Sequence, residues 1–209
     1  MIGAPLAGAD VLGLERCLAA DGVAVFPSDT VYGLCCDPDS ERAARRMYTL
    51  KGRPAARPAA VMYFALETAL ADLPELLDAE REALAALLPG PVTLLLANRR
   101  QRFAPACRTD PATLGLRVPL LSERLRALEA LAAPVMQSSA NLSGEPDARS
   151  LAEIPPSVLA GADLVLDGGE LPGTPSTVID LRDYQEHRRW HILRQGALPA
   201  ADVERLLAC

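Results

Sequence analysis

Histidine and lysine are nearly absent: the chain has His187 and His191 late in the sequence and a single lysine, Lys51. Two late histidines argue against a His-based triad or a zinc centre. Aromatic residues make up 4% of the chain, so its core must rest on Leu, Val, Ala and Ile. No CxxC occurs among Cys17, Cys35, Cys36, Cys107 and Cys209, and the odd count without metal-ligand spacing suits reduced thiols in a reducing compartment. The longest apolar runs, such as Pro91 to Ala97, are too short to span a bilayer. Acidic Asp10 near the start, with no basic cap before an apolar stretch, gives no sign of a signal peptide, so the cytoplasm is the expected location. Neither GxxxxGK[ST] nor GxGxxG is present, so a nucleotide site would have to be built another way.

What is present is ordinary globular material: 209 residues, half apolar and 23% charged, enough for one buried core. The net charge of −6 argues against a protein that coats nucleic acid. Positive charge is nonetheless concentrated, with Arg42, Arg45, Arg46, Lys51, Arg53 and Arg57 close together. Periodicity predicts helices over Asp10–Ala20, Ser40–Leu50, Asp78–Leu88 and Leu121–Leu131, with a closing helix from Ala201. Strands are expected at Val23–Pro27, Ala59–Leu66, Val92–Ala97, Thr113–Val118, Pro134–Gln137, Asp163–Asp167, Thr177–Leu181 and His191–Arg194. SDTVYGL reads as a turn, and Gln101–Pro111 as the most mobile loop. Interleaved strands and helices give an α/β class: a single domain over 1–209 with a twisted mixed sheet.

Four polar clusters follow or end these strands, where α/β sheets commonly hold ligands. PSDTVYGL is a shaped loop that would also serve as a plain turn. KGRPAARP offers Lys51, Arg53 and Arg57 to an anion, or else is a solvated basic helix end. QSSANLSG supplies hydroxyls, an amide and backbone N–H groups suited to phosphate or adenine, without a nearby histidine to activate a serine. The last group is scattered: Arg117 in LGLRVP, Ser176 and Thr177 in TPSTVIDL, and Arg194 in ILRQGAL.

In order, FPSDTVYGL, KGRP, LLPGPVTLLL, LGLRVP, SSANLSG, DGG, STVIDL and ILRQGAL resemble the YrdC-like family of threonylcarbamoyl-AMP synthases, over about Ala20 to Ala197. The resemblance implies a large, positively lined cavity in which Lys51 and Arg53 meet Ser139 and Asn141. It further implies Arg57, Thr113 and Arg194 on the ATP side, with Thr30, Arg117 and Ser176 on the threonine side. The expected reaction joins L-threonine, bicarbonate and ATP into threonylcarbamoyladenylate and pyrophosphate, for the tRNA modification N6-threonylcarbamoyladenosine. Lys51 and Arg53 are the expected catalytic residues, acting electrostatically with Mg²⁺ carried on ATP and with no metal bound by the protein.

Some positions depart from the family pattern. Ser28 stands where relatives usually have Thr, Met62 where some have His, Arg149 where Thr is common, and Gln195 where Pro is common. The chain stops near Cys209, which implies the short form, with separate proteins carrying the group on to tRNA. The alternatives are a related carbamoyl-type enzyme or YciO-like branch member, and an RNA-binding or ribosome-assembly module using the basic cavity.

Overall fold

Short buried strands and amphipathic helices alternate along the chain in a computed structural model that describes residues 4–54 and 56–208. Helix α1 (Gly8–Ala19) buries Val11, Leu14 and Leu18 along one stripe, and β1 (Ala24–Pro27) and β2 (Tyr32–Cys36) are buried at every position. Helix α2 (Glu41–Lys51) starts where its cap residue dictates, with Ser40 Oγ accepting from Ala43 N at 3.1 Å. Then follow β3 (Ala60–Met62), α3 (Leu66–Asp72), α4 (Asp78–Leu87), β4 (Val92–Ala97), α5 (Ala104–Cys107) and β5 (Thr113–Arg117). The second half holds β6 (Val135–Ser139), α6 (Pro156–Gly161), β7 (Leu164–Val165), β8 (Thr177–Asp180), α7 (Tyr184–His187), β9 (His191–Arg194) and α8 (Ala200–Leu207).

The nine strands among the described residues form one mixed sheet in the order β7-β1-β2-β6-β3-β5-β4-β8-β9. Pairs β1–β7, β3–β5 and β4–β8 are parallel and the others antiparallel. The core is mainly aliphatic, and all three phenylalanines and all four tyrosines are packed into it. No helix among the described residues is long and apolar enough to cross a membrane. The four described cysteines are free thiols, and Cys209 lies outside the described residues together with 1–3 and 55.

Several expectations are corrected. Tyr32–Leu34, read as part of a turn, begin β2, so the turn is only Ser28–Val31. The strand expected over Ala59–Leu66 stops at Met62, and α3 begins at Leu66. The α-helix expected at Leu121–Leu131 is a 3₁₀ turn over Arg126–Ala130. Its buried residues Leu125, Leu128 and Leu131 recur every three residues, the period of a 3₁₀ helix, with i to i−3 hydrogen bonds. The loop at Gln101–Pro111 is packed: it contains α5 and buries Phe103, Pro105, Ala106 and Cys107.

Candidate functional site

Side chains on paired strands at matching register project from the same face of a sheet. That rule assembles the site. Ser139 lies opposite Gly33, Gln137 opposite Cys35 and Ala60, and Met62 opposite Arg117. On the other side, Thr93 is opposite Val178, and Val178 opposite Arg194. Ser139, Gln137, Ala60, Arg117, Thr93, Val178 and Arg194 all line one cavity of about 180 Å³, together with residues from flanking loops that include Arg53, Asp147, Pro175 and Ser176. Three arginines against one aspartate make it electropositive.

One end of the cavity is built by the end of α2 and the loop after β6. Gly52 adopts the left-handed conformation (φ 56°, ψ 31°) that ends α2. Lys51 is therefore the last helical residue, and its side chain reaches across to the SxN loop. Its ammonium donates to Ser139 O, to Asn141 O at 3.0 Å and to Asn141 Oδ1 at 2.7 Å. Ser139 Oγ donates to the same Oδ1 at 2.7 Å. An ammonium has three N–H donors, and all three are used. Burial, followed by repulsion from Arg53, lowers the Lys51 pKa to about 8, with Asp147 opposing. Arg53 turns to Ser138 Oγ at 2.9 Å and Pro58 O at 2.6 Å, while its Nε is buried without a partner. Burial also lowers the Arg53 pKa.

The other end is built by the β1–β2 turn, the end of β5 and the start of β8. Arg117 Nη2 donates to Asp29 Oδ1 at 2.7 Å and Thr30 Oγ1 at 3.2 Å. Ser28, the residue standing for Thr, keeps its role in the turn: Oγ donates to Val31 O at 2.8 Å and lies 3.1 Å from Thr30 Oγ1. Ser176 Oγ is 2.8 Å from Thr93 Oγ1 and accepts from Arg194 Nη2 at 3.2 Å, while Arg194 also holds Ser176 O. Thr177 Oγ1 accepts from Gly196 N and Leu198 N, both at 3.0 Å. Glycine is required at 196, where a Cβ would collide with the Pro175 carbonyl. Tyr32 OH accepts from Gly168 N at 2.9 Å and donates to Gly169 O at 2.8 Å, which fastens the DGG stretch to the start of β2.

The structure thus brings Lys51, Arg53, Ser139 and Asn141 together, and separately Thr30, Arg117, Ser176 and Arg194. Two expected residues stand apart. Arg57 is exposed and is not among the residues lining the cavity. Thr113 shares the face of Arg117 but sits four residues down β5, about 13 Å away at the usual strand rise, where it accepts from Arg182 Nη1 at 3.2 Å. Arg194 reaches Ser176, so it falls at the end expected for threonine rather than ATP. Met62 is fully buried beside Arg117, and Arg149 pairs with Glu170. All three arginines of the basic cluster before Lys51 are ion-paired, with Arg42 on Asp21, Arg45 on Glu41 and Arg46 on Asp163. Asp29, Thr93, Gln137 and Ser138 lie inside motifs that the sequence offers but are not singled out there as site residues, and Asp147 lies outside them.

The Sua5_yciO_yrdC family model, described as Telomere recombination, matches residues 16–196. A Pyrococcus abyssi protein named threonylcarbamoyl-AMP synthase is 33% identical over 188 residues, covering 87% of this chain and 52% of the relative. One from Xanthomonas campestris pv. campestris with the same name is 37% identical over 174 residues, covering 80% of this chain and 91% of the relative. The structure of P. abyssi Sua5 complexed with L-threonine aligns with a TM-score of 0.82 at 29% identity, covering 96% of this chain and 58% of that one. E. coli YciO aligns at 0.78 and 25% identity, covering 94% of both chains. The chain spans about half of the archaeal relative and nearly all of the bacterial one. With a family match across most of its length and a relative 37% identical over 80% of it, the chain belongs to the Sua5/YciO/YrdC family.

Proposed function

We propose that this chain is a threonylcarbamoyl-AMP synthase, an ATP-using enzyme that forms threonylcarbamoyladenylate for tRNA modification. The observation that carries this reading is one cavity lined by Arg53 and Ser139 and by Arg117 and Ser176, with Lys51 and Asn141 bracing Ser139 from behind and Thr30 bracing Arg117. The amine of threonine forms a C–N bond to bicarbonate-derived CO₂ and gives up a proton, leaving an N-carboxylate. A carboxylate oxygen then bonds to the α-phosphorus of ATP as the bond to the β-phosphate bridging oxygen breaks, and pyrophosphate leaves. The obstacle is repulsion between two anions, which fixed cations and orientation overcome without a protein nucleophile.

Arg53 and Ser139 face the triphosphate. Lys51, with its donors committed to the SxN loop, is a positioning residue that also contributes charge. Arg117 takes the threonine carboxylate, with the Thr30 and Ser176 hydroxyls beside it. Mg²⁺ enters as part of the MgATP substrate. Among the described residues no group of three or more His, Cys, Asp or Glu side chains is placed to hold a metal. A separate transferase then consumes the adenylate.

Incubation with ATP, Mg²⁺, bicarbonate and L-threonine tests the reading, with mass spectrometric detection of threonylcarbamoyl-AMP and measurement of pyrophosphate. Release of pyrophosphate should require both threonine and bicarbonate; release without threonine would overturn the assignment. Likeness to YciO supplies the second reading, a related carbamoyl-type enzyme. Turnover with carbamoyl phosphate or serine in place of threonine would favour it.

A further inference from the structure

Arg117 differs from the other cavity cations in one respect. Its ion-pair partner, Asp29, is buried with it: the two side chains are 4% and 3% exposed at a separation of 2.7 Å. Lys51 and Arg53 instead meet neutral acceptors, namely backbone carbonyls, the Asn141 amide and the Ser138 hydroxyl. Asp29 engages both of its oxygens, Oδ1 with Arg117 and Oδ2 with Leu120 N at 3.2 Å. The carboxylate therefore ties the β1–β2 turn to the segment after β5. Through Nη2, the Arg117 guanidinium is fixed by Asp29 and Thr30, while its buried Nε has no partner.

The charges at this end partly cancel. Arg194 is close enough to repel Arg117, and two arginines less one aspartate leave one net positive charge. One net charge suits a single carboxylate and is a poor match for a polyphosphate. Removing Asp29 would leave two arginines side by side, an attractive seat for a second phosphate group.

We propose that Asp29 is a positioning and specificity-determining residue, which orients Arg117 and lowers the charge around it so that this end accepts a carboxylate and turns pyrophosphate away. The proposal rests on the two-ended reading of the cavity given above. Asp29 touches neither substrate and acts through Arg117.

The test compares wild type with Asp29→Asn, Asp29→Glu, Arg117→Gln and the double variant Asp29→Asn/Arg117→Gln, each checked for folding by thermal melting. In wild type, pyrophosphate should compete with ATP and not with threonine. In Asp29→Asn it should compete with threonine as well, with an inhibition constant in that mode about tenfold or more lower, while the KM for ATP moves by about threefold or less. Asp29→Glu, which keeps the charge, should retain the wild-type pattern. Adding Asp29→Asn to Arg117→Gln should change the pyrophosphate pattern no further. Calorimetry with inorganic pyrophosphate should find one equivalent per wild-type chain and two per Asp29→Asn chain. That count is read without turnover, so a wrong amino-acid substrate and a wrong role for Asp29 give different results. The proposal is overturned if pyrophosphate never competes with threonine in Asp29→Asn, or if the effect persists without Arg117. Should Asp29→Asn fail to fold, competition between pyrophosphate and threonine in Asp29→Glu would overturn it equally.

Discussion

The two ends of the cavity use the same residue chemistry with opposite pairing. At the Lys51–Arg53 end, cations are held by uncharged acceptors, so no carboxylate neutralises their charge in place. At the Arg117 end the cation is held by a buried carboxylate, so most of its charge is already balanced. The first arrangement suits a triphosphate and the second a single carboxylate. Anion-binding capacity is thus set by what holds a cation in place as much as by the cation itself.

The largest effect is expected at the first end. Lys51→Ala leaves Ser139 and Asn141 without the ammonium that joins them and should lower adenylate formation by about 10²–10³-fold, read by pyrophosphate release. Arg117→Gln should come next, and should differ in kind. It leaves Asp29 buried without its cation, so the chain should lose about 3–5 kcal/mol of stability in a denaturant titration, and the KM for threonine should rise. Arg53→Ala, which breaks no carboxylate pair, should raise the KM for ATP with a much smaller loss of stability.

A pH titration sharpens the contrast. Lys51 is charged below a pKa of about 8 and neutral above it, so kcat/KM for ATP should fall as pH rises through about 8. The sign for stability is opposite. An unfolded lysine keeps its proton up to the usual value of 10.5, so this group's contribution to stability rises over the same window. Both trends should vanish in Lys51→Met. The smallest effect is expected outside the cavity: Arg45→Ala breaks an exposed i,i+4 pair with Glu41 and should change stability by less than about 0.5 kcal/mol.

Local signals were readable wherever one residue decides the structure. Ser40 starts α2, and the apolar run Val92–Ala97 is the strand it resembles. The ordered motifs also pointed to the Lys51, Arg53, Ser139 and Asn141 grouping. Other features depended on register, which the sequence does not display. Thr113 and Arg117 belong to one strand and one face, yet only the pairing of β3, β4 and β5 shows that the cavity lies at the Arg117 end. Asp29 was hidden for a related reason, because its partner is 88 residues away in sequence. The 3₁₀ turn at Arg126–Ala130 was misread because three-residue spacing of leucines fits a helical stripe as well.

The division of the cavity is tested most directly by calorimetric titration of threonine and of pyrophosphate into wild type, Arg53→Ala and Arg117→Gln. Arg53→Ala should lose pyrophosphate binding and keep threonine, and Arg117→Gln should lose threonine and keep pyrophosphate. Equal loss of both ligands in both variants would contradict a cavity with two distinct ends.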